Sequence, residues 1–213
     1  MVFSDRADAG RRLALAVGER LGTAGNVVVL GLPRGGVVVA AAVAQALHAP
    51  LDVLVVRKLG VPGRPELALG AVAAGTRVLN DDVVRALRLD RRLIDAVTAV
   101  ELEVLRHREQ EYRGVRPAVP LLGATAVVVD DGLATGATAR AAVRALREHA
   151  TDRPERVVLA VPVGPPDTVA SLTAEVDDVV CLLRPAAFMA VGECYRDFAQ
   201  VQDAEVRRLL AGG

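Results

Sequence analysis

Aromatic side chains are nearly absent from this chain: three Phe, two Tyr and no Trp in 213 residues. A chain of this length buries a sizeable core, so that core must be filled by Val, Leu and Ala. The 52% hydrophobic content is ample for this, and such a mixture suits a parallel sheet covered by helices. Net charge is absent too. Twenty-six basic and 26 acidic side chains cancel to zero, which argues against a general electrostatic grip on nucleic acid or on an anionic membrane but not against a local anion site. Long apolar runs are missing. The longest, Val37 to Ala44, is far too short to cross a bilayer. Cysteine is reduced to Cys181 and Cys194, which fit no metal spacing and read as reduced thiols. Met1 to Arg12 is mostly polar, so no secretory leader is expected and a cytoplasmic location is. Lysine is the last shortage: Lys58 is the only one, and the other 25 basic residues are arginine. An ammonium kept against that bias hints at a purpose, with chance as the alternative.

What is present is concentrated in Thr125 to Thr138, TAVVVDDGLATGAT. Ala126-Val127-Val128-Val129 has the length and β-branching of a buried strand. It stops at two carboxylates, Asp130 and Asp131, and a loop of small residues follows: Gly132, Leu133, Ala134, Thr135, Gly136, Ala137 and Thr138. Ala139 to Leu146 reads as a helix. A strand, a tight turn and a helix N-terminus gather backbone N–H groups around an anion. Two aspartates would repel a phosphate, so they are expected to face hydroxyl donors, such as the vicinal hydroxyls of a sugar.

The rest of the chain reads as one α/β domain with a mostly parallel sheet. An amphipathic helix over Phe3 to Leu21 places Leu13, Val17 and Leu21 on one stripe, capped by Ser4 or Asp5. Gly22 to Asn26 breaks it. Val27 to Gly31 is a strand, Leu32 to Gly36 a turn, Val37 to Leu47 a helix, and Asp52 to Val56 a second strand, which together make a βαβ unit. Leu59 to Gly70, with Gly60, Pro62, Gly63 and Pro65, is expected to be a mobile loop. Ala71 to Ala73 and Arg77 to Leu79 are expected to pair as a hairpin. Asp82 to Leu89 and Arg91 to Tyr112 are helices, the second with a charged, solvated face. Arg156 to Val163 and Val179 to Leu183 are strands flanking a helix over Asp167 to Ala174. Arg184 to Val191 is irregular, and a terminal helix is expected over Tyr195 to Leu210. Ligands in such sheets bind beyond the carboxyl ends of the strands, and the candidate residues fall there.

The order of strand, acid pair and small-residue loop resembles the phosphoribosyl-pyrophosphate (PRPP) motif of the type I phosphoribosyltransferases. The resemblance implies that Asp130 and Asp131 hold the ribose hydroxyls and that Ala134, Thr135, Gly136, Ala137 and Thr138 wrap the 5′-phosphate. Arg34, Gly35 and Gly36, in the turn after the first strand, are then similar to the loop that holds pyrophosphate. Arg57 and Lys58 resemble the cationic pair at the head of the family's flexible loop and would assist catalysis, the alternative being two surface charges. Leu59 to Gly70 would be a lid over the sugar, with Glu66 a weaker candidate for a ligand contact. Phe188, followed by Val191-Gly192 and then Tyr195-Arg196-Asp197-Phe198, resembles the base-stacking segment of purine enzymes, although only Glu193 and Cys194 stand between its two halves. Phe188 and Phe198 as core plugs are the alternative.

On that likeness the core comprises residues 22–58 and 120–184 of a single 1–213 domain. Residues 59–119 form an insertion with the flexible loop, and 184–198 a hood. The implied reaction moves a 5-phosphoribosyl group from PRPP to a nucleobase, purine-like by preference, and releases pyrophosphate. It would use Mg²⁺ carried by the substrate's oxygens, a small-molecule base as acceptor, and a homodimer as the usual assembly. A PRPP- or nucleotide-binding regulator without turnover is the alternative on the same fold.

Overall fold

The computed structural model describes residues 2–22 and 25–212. The chain begins with helix α1 (Arg6–Leu21), strand β1 (Val27–Gly31), helix α2 (Gly35–Leu47) and strand β2 (Leu51–Val53). Strands β3 (Val56–Val61), β4 (Arg64–Ala73) and β5 (Thr76–Leu79) follow, then helices α3 (Asp81–Ala86) and α4 (Arg91–Arg113). The second half alternates as β6 (Thr125–Val129), α5 (Ala137–Glu148), β7 (Arg156–Val163), α6 (Pro166–Thr173) and β8 (Asp178–Leu183). A 3-10 turn (Val191–Cys194) and helix α7 (Asp203–Ala211) close it.

Five strands form one sheet in the order β2-β1-β6-β7-β8, with every neighbouring pair parallel. Its strands are nearly continuous Val, Leu and Ala because both faces are covered. Val29, Val127, Val129, Val158 and Ala160 pack with Leu13 and Val17 of α1 and with Val39 and Val43 of α2. The alternating residues Val28, Leu30, Ala126, Val128, Leu159 and Val161 pack with Ala142, Val143 and Leu146 of α5 and with Val169 and Leu172 of α6. The chain leaves β1 towards β2 in one direction and leaves β6 towards β7 in the other. The order therefore reverses between β1 and β6, the place where the loops beyond two neighbouring strands part and leave a crevice.

Strand β2 stops at Val53, and Arg57 and Lys58 belong instead to β3, which starts a separate antiparallel sheet, β3-β4-β5. The mobile loop expected over Leu59 to Gly70 is consequently corrected to the greater part of a β3–β4 hairpin. Its glycine and proline build the turn: Val61 faces Arg64 across Pro62-Gly63, with Gly63 at φ 76°. Leu59 and Leu69, both fully buried, anchor it against Ile94 and Leu105 of α4. The hairpin expected across residues 74–76 is present as β4–β5, with Ala73 opposite Thr76. Ala74 and Gly75 both have positive φ there, as a two-residue turn of this hand requires.

The terminal helix expected from Tyr195 begins only at Asp203. Tyr195 instead forms a parallel bridge with Phe3. The Arg196 and Asp197 amides donate to the carbonyls of Phe3 and Ser4, which hold this stretch alongside the N-terminus. At the other end of the chain Asp5 caps α1, its carboxylate accepting from the Asp8 amide at 2.7 Å.

Candidate functional site

The crevice lies beyond the carboxyl ends of β1 and β6. The Leu32 amide donates to the Val129 carbonyl at 2.8 Å, which ties the turn after β1 to the end of β6. Past that tie Gly35 and Gly36 lie directly against the two acids. A methyl group on Gly35 would sit 1.9 Å from Asp131 Oδ2, and one on Gly36 would sit 2.8 Å from the Asp130 Cα. No residue with a Cβ fits at Gly35 unless the acid pair moves. The sequence-predicted acid pair and pyrophosphate turn are thus in direct contact, although about a hundred residues separate them in the chain.

Beyond Asp130 the small-residue loop encloses a cavity of about 160 Å³, lined by Asp130, Gly132, Leu133, Ala134, Thr135, Gly136, Ala137, Thr138, Ala139 and Val191. Small side chains leave the backbone as the wall. The loop is pinned at Leu133, whose amide donates to the Val163 carbonyl at 2.8 Å. Gly136 turns the chain into α5 through a left-handed conformation, φ 72°, and offers no side-chain cap; only the Ala137 amide meets a side chain, donating to Thr135 Oγ1 at 3.4 Å. The first amides of a helix have no intrahelical acceptor, so the start of α5 presents donors and the positive end of its dipole to this cavity. All five residues of the predicted phosphate loop line it.

The acids differ from each other. Burial, and then the neighbouring charge of Asp131, push the Asp130 carboxyl well above its usual range, while the Arg6 guanidinium opposes the rise. Asp130 Oδ1 accepts from the Asp131 amide at 2.9 Å. Asp131 is held from outside: Arg6 Nε donates to its Oδ2 at 2.7 Å, and the Tyr195 hydroxyl donates to its carbonyl at 2.5 Å. Arg6 is missed by sequence reasoning, because nothing in its local pattern distinguishes a first-turn arginine that reaches 125 residues ahead from a solvated one.

A larger cavity, about 750 Å³, opens between the small sheet and α5. Arg57 and Lys58 form part of one wall, and Ala137, Thr138, Arg140 and Arg144 part of the other. The strand carrying both predicted cations is thus a wall of this cavity, but neighbours on a strand point to opposite faces: Arg57 turns to Glu101 of α4, outside the cavity lining, at 2.8 Å, whereas Lys58 is half-exposed and only 4.0 Å from the fully exposed Glu66. The charged face of α4 is thus solvated except where Glu101 and Glu109 turn inward; Glu109 pairs with Arg113, which also holds the buried Asp52 at 2.8 Å.

Two predicted residues stand apart. Arg34, half-buried beside Gly35, acts electrostatically on Tyr112 and Asp203, at the contact between α4 and α7. Phe188 is half-buried against the cluster of Phe3, Ala9, Val163 and Tyr195. It lines neither cavity, and Val191, three residues on, is what closes the small one.

Metal-ligating side chains do not gather in threes or more among the described residues. No helix among the described residues is long and apolar enough to cross a membrane.

The chain is similar to known proteins. The family described as "Phosphoribosyl transferase domain" matches residues 5–196. Two Mycobacterium tuberculosis proteins, from strains H37Rv and CDC 1551 and each carrying the name "Putative phosphoribosyl transferase", are 56% identical over 210 residues. The alignment covers 98% of this chain and 46% of each of them, so the chain spans about half the length of the curated relatives it matches. The crystal structure of the protein TT1426 from Thermus thermophilus superposes with a TM-score of 0.87 at 44% identity, covering 100% of this chain and 99% of that one.

Proposed function

The chain belongs to the phosphoribosyl transferase domain family, and on that premise we propose that it transfers a 5-phosphoribosyl group from PRPP to a nucleobase, with release of pyrophosphate. The observation that carries the proposal is the 160 Å³ cavity of backbone and small side chains beyond β6, with Asp130 on its wall. A 5′-phosphate in that cavity accepts from the amides of Ala134 to Thr138. Its ribose then lies over Asp130 and Asp131, whose oxygens accept from the two hydroxyls. The pyrophosphate extends towards Gly35 and Gly36, with Arg34 adjoining them.

Reaction breaks the bond between the sugar's anomeric carbon and pyrophosphate, leaving an oxocarbenium-like sugar, and forms a bond from that carbon to a ring nitrogen of the acceptor. The protein supplies no nucleophile. It holds two reactants in line and meets the charge growing on the leaving group with fixed donors. Lys58, held only loosely by Glu66, is free to turn to that charge. Arg57 must first leave Glu101. Mg²⁺ enters as part of the PRPP substrate. Phe188 as a stacking platform for the base, purine by preference, requires it to leave its half-buried seat. A cytoplasmic location belongs to the same reading.

A second reading, a regulator that binds PRPP or a nucleotide without turning it over, is favoured by two of these observations: the engagement of Arg57 with Glu101 and the seating of Phe188 away from both cavities. Incubating the protein with PRPP, Mg²⁺ and each common base in turn, and measuring pyrophosphate, separates the two. Release with one base supports transfer and names the acceptor. Saturable PRPP binding with no release for any base supports the regulator. No PRPP binding at all overturns both.

A further inference from the structure

The Arg6 side chain is the most heavily engaged cation near the crevice, and the reaction described above gives it no role. Its Nε donates to Asp131 Oδ2 at 2.7 Å, with only 11% and 17% of the two side chains exposed. Its Nη1 donates to the Ala199 carbonyl at 2.8 Å. Its Cζ lies 3.8 Å from the centroid of the Phe198 ring, within the range of a cation–π contact. Phe198 packs on Tyr195 at 4.9 Å between ring centroids, and Tyr195 on Phe3 at 5.4 Å. Tyr195 also donates to the Asp131 carbonyl. Three of the five aromatic residues of the chain are thus gathered around one acid and one arginine.

Surface ion pairs contribute little and need no such scaffolding. This one is shielded, fixed on three sides, and packed against Gly35, where a methyl group would come within 2.7 Å of Arg6 Nε. We propose that Arg6 is a positioning residue of the sugar site: clamped between the Phe198 ring and the Ala199 carbonyl, its guanidinium holds the Asp131 carboxylate in the orientation that presents the acid pair to the ribose hydroxyls. This rests on the reading that the two acids accept from the sugar. A guanidinium suits the task because its several donors lie in one plane, so one edge grips the acid while another grips the Ala199 carbonyl and the face stacks.

The pair has an electrostatic side. Asp130 is already raised by burial and by Asp131, and Arg6 counters that rise. The ionisable groups that bear on the two acids are each other, Arg6 from α1 and the Tyr195 hydroxyl from the C-terminal segment. Cys194 acts on that hydroxyl, and Asp5, Asp197 and Glu205 share with Arg6 the lining of a further cavity. Removing Arg6 takes away the counter-charge and drives Asp130 further up. Binding that needs the ionised acid should then move to higher pH.

The test is the affinity for ribose 5-phosphate and for PRPP with Mg²⁺, measured by calorimetry from about pH 5.5 to 9 on the intact chain, for Arg6→Gln, Arg6→Lys and Phe198→Leu. Circular dichroism melts establish that each variant is folded. Arg6→Gln is expected to weaken binding about tenfold near pH 7, with the pH profile displaced upward and part of the loss recovered by about pH 9. Arg6→Lys should recover the position of the profile but not the full affinity, because it supplies charge without the planar fork. Phe198→Leu, the variant kept in case Arg6→Gln does not fold, leaves the charge in place but loosens the clamp and should weaken binding about threefold with the profile unmoved. A wild-type pH profile for Arg6→Gln, even if overall affinity falls, or wild-type affinity for Phe198→Leu overturns the positioning role. If the wild-type protein binds neither ligand, or binds them equally well with Asp130→Asn and Asp131→Asn, the sugar reading itself fails and this inference fails with it.

Discussion

The two sheets of this molecule use their side chains in opposite ways. In the five-stranded sheet both faces are buried, and β6 and β7 carry Val, Leu and Ala almost without a break apart from the proline of β7. Its ends can then be given over to function, because the strands need nothing from their loops. In the three-stranded sheet one side packs Leu59, Leu69 and Val72 on the core, with Arg57 turned to Glu101 of α4 on the face of Val72, while Lys58 beside it points to the opposite face in the wall of the large cavity. The first sheet is a foundation with chemistry at its rim, and the second is itself a wall of the site. On the proposed reading, the acids that hold the sugar sit on the first, and the cations that meet the departing group sit on the second.

That contrast is open to direct attack. The greatest effect is expected at the rim of the first sheet. Replacing both acids, Asp130→Asn with Asp131→Asn, should cost more than about 100-fold in PRPP affinity, as losing two charge-assisted hydrogen bonds implies, while the melting curve still shows a folded protein. Calorimetric titration checks this, and an unchanged affinity would remove the acids from the sugar. Lys58→Ala, on the second sheet, should divide differently: turnover falls about tenfold or more, and PRPP affinity changes by less than about threefold. Equal losses in both would mean that the two sheets share one role.

Stability should separate the sheets as well. Val128→Ala in β6, where the side chain is fully buried, removes two methyl groups from a packed layer. It should lower stability by about 2 kcal/mol, or about 4–8 °C in the melting temperature. Leu67→Ala in β4, a residue 37% exposed, should stay within about 0.5 kcal/mol. Between them lies Glu175, which joins α5 to the turn before β8 through Arg140 and Arg144. Burial raises the Glu175 carboxyl, but the two arginines more than offset it and hold it below its usual value. A depressed carboxylate stabilises the fold above its unfolded-state pKa and stops doing so as pH falls through the folded value. Glu175→Gln should therefore cost about 1 kcal/mol at pH 7, and the difference from wild type should shrink between about pH 5 and pH 3. A gap that persists at about pH 3 would trace the loss to packing instead.

The same contrast governs how much was legible in the sequence. Strands β1 and β7 stand where the hydrophobic runs put them, and the acid pair with its small-residue loop stands at the end of β6, because a doubly buried strand records its burial in every residue. The β3–β4 hairpin is harder to see: Gly60, Pro62 and Gly63 signal a turn as readily as a flexible loop, and only the packing of Leu59 and Leu69 on α4 decides between them. Tyr195 to Gln202 misled for a related reason. Its residues tolerate a helix, but Phe3 and Ser4 claim its amides, and a partner nearly two hundred residues away leaves no local trace. Arg6 was hidden by the same distance. Phe188 had a signal, the local gathering of aromatics, yet that gathering also describes the cluster in which it is seated.

The bridge between Phe3 and Tyr195 sets an order on manufacture. As the chain leaves the ribosome, the strands, the acid pair and the loop that would take the phosphate are all synthesised, and free to assemble, before residues 195–199 emerge. Until then Arg6 lacks both its ring and its carbonyl, and on the proposed reading the sugar cradle has one side unfastened. Full competence to bind would therefore wait for residues 195–199, which line neither cavity.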